Sequence, residues 1–162
     1  MMSQFMSEKP LQGLKVLEMG QLIAGPFTTR IMAEFGAEVI KIEPPEKGDP
    51  LRNWRHLYNG TSLWWAVQSR NKKSVAVNLK EPEGQELVRR LVKSCDVVVE
   101  NFRPGTLEKW GLGYDQLRQV NPRIIMVRVS GYGQDGPYRD KAGFGSVGEA
   151  MGGLRHVTGY PD

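Results

Sequence analysis

Short β-branched runs alternate with helix-length patterns along this chain, and that alternation constrains its fold more than any other feature. Leu14 to Met19, Val39 to Ile42, Ser74 to Leu79, Asp96 to Glu100 and Ile124 to Val129 each read as a strand. Pro26 to Phe35 predicts a helix, with Pro26 at its first position, Phe27, Ile31, Met32 and Phe35 on one face, and Gly36 as its stop. Glu81 to Lys93 is the clearest helical pattern. Pro82 lies at its start, acidic residues occupy its first turn, Leu87, Val88, Leu91 and Val92 form a buried stripe, and Lys93 meets the negative dipole end. Shorter helices are expected around Leu107, Leu117 and Ser146, whereas Pro44 to Trp65 shows no sustained period. Apolar runs such as Val97-Val98-Val99 need cover on both faces. The expected fold class is therefore α/β: a Rossmann-like parallel sheet with flanking helices and right-handed crossovers.

A chain of 162 residues is long enough to bury one core. No apolar run reaches the roughly 18 residues of a membrane helix. Residues 1–9 lack the apolar centre of a signal peptide, so they read as a disordered tail of a cytoplasmic protein, with one domain over residues 10–162. The final Gly159-Tyr160-Pro161-Asp162 reads as an unfinished turn, which leads us to expect a truncated domain. Cys95 is the single cysteine, which excludes an internal disulfide and a cysteine-based metal centre; we expect it to be a small buried residue and expect no metal. The net charge of +4 comes without an extended Lys/Arg block, so neither a nucleic-acid nor a membrane partner is expected. A mild positive excess suits a polyphosphate ligand and a solvated surface equally well.

Ligands of open parallel sheets bind beyond the carboxyl ends of the strands, and four segments fall there. The first, Gln21 to Pro26, includes Ile23 and Ala24 and opens a helix, whose free N–H groups suit an anion. It lacks the G-x-G-x-x-G pattern of a dinucleotide site, and on its own it reads as chain turning. The second is Val77-Asn78-Leu79-Lys80, where Lys80 offers a point charge to a phosphate or to solvent. Glu100 to Gly105 is the third. Phe102 and Arg103 there can sandwich a flat base or pair with phosphate, while Asn101 and Phe102 can equally cap and pack. The fourth, Ser130 to Pro137, carries three glycines that allow close backbone approach, although a mobile loop has the same composition. Together the four segments describe a pocket for an extended, nucleotide-like ligand.

Pro10 to Met19, Ala24-Gly25-Pro26, Gly36 to Glu43, Asn71 to Ser74, Val99 to Gly105, Gly111 to Tyr114 and Ser130 to Pro137 occur in the order found in family III CoA-transferases, which the chain resembles from Pro10 onward. The resemblance implies coenzyme A as ligand, on a Rossmann-like large domain of an interlocked homodimer. Its CoA contacts would fall on Ile23, Ala24, Val77, Asn78, Leu79, Lys80, Asn101, Phe102, Arg103, Lys109, Ser130, Gly131, Tyr132 and Gly133. Two positions depart from the family pattern. Pro44 stands where some members carry an arginine, and Lys109 keeps a charge but loses the guanidinium fork.

The resemblance also implies a mechanism. An aspartate attacks an acyl-CoA thioester to give a mixed anhydride, the released thiolate forms an aspartyl-CoA thioester, and an acceptor acid reverses the steps. That nucleophile is expected beyond Asp162, in a Gly-Asp pair, so residues 1–162 alone are expected to be inactive. The donor is expected to be an acyl-CoA, succinyl-CoA in the first instance, and the acceptor a small carboxylic or dicarboxylic acid. The related racemases need a histidine after Ala142-Gly143, where this chain has Phe144. A racemase and a non-catalytic CoA-binding fragment remain the competing readings.

Overall fold

The computed structural model describes residues 9–160; most of the expected tail, and Asp162, lie outside the described residues. In chain order the elements are β1 (Lys15–Glu18), α1 (Ala24–Glu34), β2 (Glu38–Glu43), a 3-10 turn (Pro50–Asn53), β3 (Leu57–Tyr58), β4 (Thr61–Ser62), α2 (Leu63–Gln68), β5 (Lys72–Ala76) and α3 (Pro82–Val92). They continue with β6 (Val97–Glu100), α4 (Thr106–Lys109), α5 (Tyr114–Val120), β7 (Ile125–Arg128), α6 (Gly145–Met151) and α7 (Leu154–Val157).

Five strands form one parallel sheet in the order β5-β2-β1-β6-β7, and β3 and β4 make a separate antiparallel hairpin. The sheet grows outward from β1 in one direction to β5 and then in the other to β7. The direction reverses between β1 and β6, and their carboxyl ends therefore flank the crevice where such folds take ligands.

Alternation along the strands splits the core in two. Leu17 and Val98 face one cluster with Val88, Val92, Leu107 and Leu117 from the helices after β5 and β6, and Leu112 between α4 and α5. Val16, Val97 and Val99 face the other, with Ala33 of α1 and Val39 of β2. The expected cover on both faces holds for β1 and β6 but not for the edges: Val75 of β5 is 37% exposed and Ile125 of β7 is 60% exposed.

Three local expectations are corrected. Helix α1 begins at Ala24, so Pro26 is its third residue; it still lies in the first turn, where a missing N–H breaks no helical bond. The buried face of α1 is Gly25, Pro26, Thr29 and Ala33, whereas Phe27 and Phe35 are half exposed. Close approach explains the choice: a Cβ at Gly25 would lie 3.1 Å from the Gly20 Cα, so only small residues fit beneath the helix. The third sheet strand runs Lys72–Ala76 rather than Ser74 to Leu79, because its ladder with β2 pairs Val39 with Lys72 through Glu43 with Ala76. Pro44 to Trp65 contains the 3-10 turn, the hairpin and the start of α2, all too short to show a period.

Candidate functional site

The turn leaving β1 is held from beneath by buried charge. Glu18, Lys41 and Asp49 are each at most 1% exposed. Lys41 Nζ lies 2.7 Å from Glu18 Oε1 and 2.8 Å from Asp49 Oδ2, and donates to the Gly20 carbonyl at 2.9 Å. Lys72 Nζ reaches Glu18 Oε2 at 2.8 Å and the Pro26 carbonyl at 2.7 Å, and the Thr29 hydroxyl donates to Glu18 Oε2 at 2.6 Å. Two carboxylates and two ammonium groups thus cancel in a buried site, with each charge hydrogen-bonded or paired, as burial requires. Burial pushes the Lys72 ammonium below its ordinary range, and Glu18 opposes that shift.

This network shapes the backbone above it. Leu22 has φ +61°, a left-handed conformation costly for a leucine, and its N–H donates to Asp49 Oδ1 at 3.0 Å. From the other side, Asn101 grips the same turn: the Gln21 N–H donates to Asn101 Oδ1 at 2.7 Å, and Asn101 Nδ2 donates to the Gln21 carbonyl at 2.9 Å. Asn101 is therefore a clasp between the ends of β1 and β6. A Cβ at Gly20 would lie 2.8 Å from that Oδ1, which makes glycine a requirement of the clasp.

Two further carboxylates stiffen the rim. Glu43 accepts from Arg52 Nε at 2.7 Å and Nη2 at 2.9 Å, from the Asp49 N–H at 2.8 Å, and from the Ser74 hydroxyl. Burial pushes the Glu43 carboxyl up, but those donors outweigh it and hold the group at about 2. Arg52 also stacks 3.8 Å above the Trp65 ring. Glu100 binds Arg128 Nε at 2.7 Å and accepts the Phe102 N–H at 2.7 Å; burial nevertheless leaves its carboxyl above the usual range. Arg128 bridges onward to Glu108 at 2.6 Å.

Two cavities open at this edge. The larger, about 410 Å³, is lined by Ala24, Asn101, Phe102, Arg103, Ser130 and Gly131, and also by Arg139, Lys141 and Phe144. The smaller, about 90 Å³, is lined by Val77 to Lys80 with Glu43, Pro44, Phe102 and Trp110. Phe102 belongs to both, so its ring is their shared wall, and it meets Trp110 edge-on at 5.4 Å. Ten of the fourteen expected contact residues thus meet around one aromatic side chain. Ile23, Lys109, Tyr132 and Gly133 line neither cavity: Ile23 caps α1, and Lys109 ends α4 on the surface.

Glycine in the fourth segment also serves chain packing. A Cβ at Gly131 would lie 2.5 Å from the Gly143 Cα, so the bare backbone admits another stretch of chain. That crossing pinches the base of the loop 132–142. Within the loop Tyr132 packs edge-on against Tyr138 at 5.6 Å, and Lys141 Nζ sits 4.0 Å from the Tyr138 ring centre. Arg139 and Lys141 were absent from the expected contacts because a lone cation in a glycine-rich loop carries no period or motif. Their signal was the count: three cations reach one cavity, with no carboxylate among the described residues that line it.

Among the described residues, no group of three or more His, Cys, Asp or Glu is placed to hold a metal ion, and no helix is long and apolar enough to cross a membrane. Cys95 is buried, and burial raises its thiol above the ordinary range, as expected of a packing residue.

The family model for CoA-transferase family III matches residues 11–162. A succinyl-CoA–D-citramalate CoA-transferase of Chloroflexus aurantiacus is 62% identical over 99% of this chain and 40% of its own length. Human succinyl-CoA:glutarate CoA-transferase is 45% identical over 93% of this chain and 35% of its own length. The crystal structure of a CaiB/BaiF family protein from Brucella suis superposes with a TM-score of 0.89 at 41% identity, covering 96% of this chain and 42% of that one. The chain thus spans about two fifths of the relatives it matches.

Proposed function

The chain belongs to CoA-transferase family III, and on that premise we propose that it holds the CoA portion of an acyl-CoA across the two cavities at the carboxyl edge of the sheet. The convergence on Phe102 carries this reading. One aromatic face is flanked by a cavity bearing Lys80 and by another bearing Arg103, which is the pairing a base and its phosphates call for. Asn101 serves the ligand indirectly, by fixing the β1–α1 turn.

The reaction is transfer of CoA from a donor thioester, succinyl-CoA, to a small carboxylic or dicarboxylic acid through an aspartyl-CoA thioester. The names of the relatives support that donor. The nucleophile lies outside the described residues in this reading. Among the described residues no aspartate lines either cavity, and Asp49 is already engaged by Lys41 and by two backbone N–H groups. Glu43 lines the smaller cavity, but its oxygens are taken by Arg52, Ser74 and Asp49. A racemase reading finds no support, since neither cavity is lined by histidine and Phe144 cannot move a proton.

The working assembly in this reading is a cytoplasmic, interlocked homodimer. Apolar side chains left exposed on the hairpin and on α2, α6 and α7 support a covering partner: Tyr58, Leu63, Met151, Leu154 and Val157 are each more than half exposed.

Calorimetric titration of CoA into the 162-residue chain tests the site. Saturable binding is expected, weakened about fivefold or more by Lys80→Ala and by Arg103→Ala as each removes a charge-assisted contact. Unchanged affinity in both variants overturns the placement. Turnover of succinyl-CoA with a dicarboxylate by these 162 residues alone would overturn the placement of the nucleophile.

A further inference from the structure

The larger cavity carries more positive charge than the CoA reading uses. Arg103 follows Phe102 at the end of β6, but Arg139 and Lys141 come from the loop after β7, together with Phe144. Among the described residues no carboxylate lines the cavity to neutralise them. Among the described residues the Arg139 guanidinium pairs with its neighbour Asp140, at 3.5 Å, too far for a strong pair. Lys141 is held differently. Its ammonium lies over the Tyr138 ring, and Tyr138 is braced by Tyr132, so the charge is positioned without being cancelled. The pinch at Gly131 and Gly143 ties this column to the end of β7.

We propose that Lys141, assisted by Arg139, recognises the free carboxylate of a dicarboxylic acyl group, while Phe144 packs against the methylene chain between that carboxylate and the thioester. The assignment rests on the CoA site proposed above and deepens it: the loop after β7 becomes the part of the chain that reads the acid. A short chain with one apolar stretch and one terminal anion matches an apolar ring and two cations on the same loop. The three phosphates of CoA are the other anions that fit such a wall, and they are separable by experiment.

Succinyl-CoA and butyryl-CoA share the CoA moiety and a four-carbon acyl group, and only succinyl-CoA has the second carboxylate. Calorimetry with the 162-residue chain, using CoA, butyryl-CoA and succinyl-CoA as probes, reads the difference. Succinyl-CoA is expected to bind about fivefold or more tightly than butyryl-CoA, as one charge-assisted contact implies. Lys141→Met is expected to erase that preference, Arg139→Gln to reduce it, and Lys141→Arg to keep it, with affinity for free CoA unchanged in all three. Equal binding of the two acyl-CoAs by the unaltered chain overturns the inference and leaves the CoA site standing. Equal weakening of all three probes by Lys141→Met assigns the cation to phosphate and also overturns it. Absence of CoA binding removes the site itself.

Discussion

Asn101 and Gln21 exchange two hydrogen bonds, at 2.7 and 2.9 Å, across eighty residues of chain, and so join the ends of β6 and β1 at the point where the sheet reverses its direction of growth. Asn101→Ala strands both Gln21 backbone groups. A loss of about 1–3 kcal/mol in urea denaturation is expected, with weaker CoA binding. Gly20→Ala should do the same without altering Asn101, since its Cβ would fall 2.8 Å from Oδ1.

Lys41 is the keystone of the buried charges, touching Glu18, Asp49 and the Gly20 carbonyl. Lys41→Met leaves two carboxylates buried with one ammonium between them. Destabilisation of about 3–5 kcal/mol is expected, the cost of orphaning buried charge. Thermal melting should show it, and a melting temperature within a degree of the parent would refute the pairing.

Acid should loosen the rim through Glu43. Its carboxyl is held at about 2 in the folded chain against an ordinary 4.5. A depressed carboxylate contributes stability above its unfolded value, and that contribution fades as pH falls from about 4.5 towards 2. Melting temperatures across this window should fall more steeply for the parent than for Glu43→Gln, which is less stable at neutral pH but lacks this titration.

Phe102→Ala merges the two cavities and removes the ring that packs on Trp110. CoA affinity is expected to drop about tenfold or more, in line with loss of an aromatic contact worth roughly 0.5–1.5 kcal/mol beyond its buried area. Phe102→Tyr should retain most of it. Equal affinity in Phe102→Ala would show that the wall does not meet the ligand.

The parallel sheet, and the sharing of one edge by the loops that follow its strands, were legible because they rest on local pattern. Val97 to Val99 demanded two-sided cover, Gly36 marked a helix stop, and each parallel strand had to deliver its following loop to the same edge. What escaped was settled between distant residues. Glu18, Lys41, Asp49 and Lys72 lie on four segments, and each alone reads as a surface charge. The available signal was Lys41 within Val39-Ile40-Lys41-Ile42, an ammonium in a strand too apolar to leave it in water. Phe27 and Phe35 misled for a related reason. Periodicity identified an apolar face of α1, but the tight gap beneath the helix selected the face of small residues instead. The roles of Gly131 and Gly143 depended on a chain crossing that sequence spacing does not encode.

That crossing separates two kinds of inheritance. With Gly131 and Gly143 locked together, the residues between them form a cassette whose ends stay a fixed distance apart whatever its length or content. Insertions, deletions and swaps within 132–142 leave the strand ends and the Phe102 wall undisturbed. On the assignment proposed for Lys141 and Arg139, a lineage would alter the cationic part of acid recognition by rewriting this loop, and a designer by grafting it, while Phe144 stays outside the cassette.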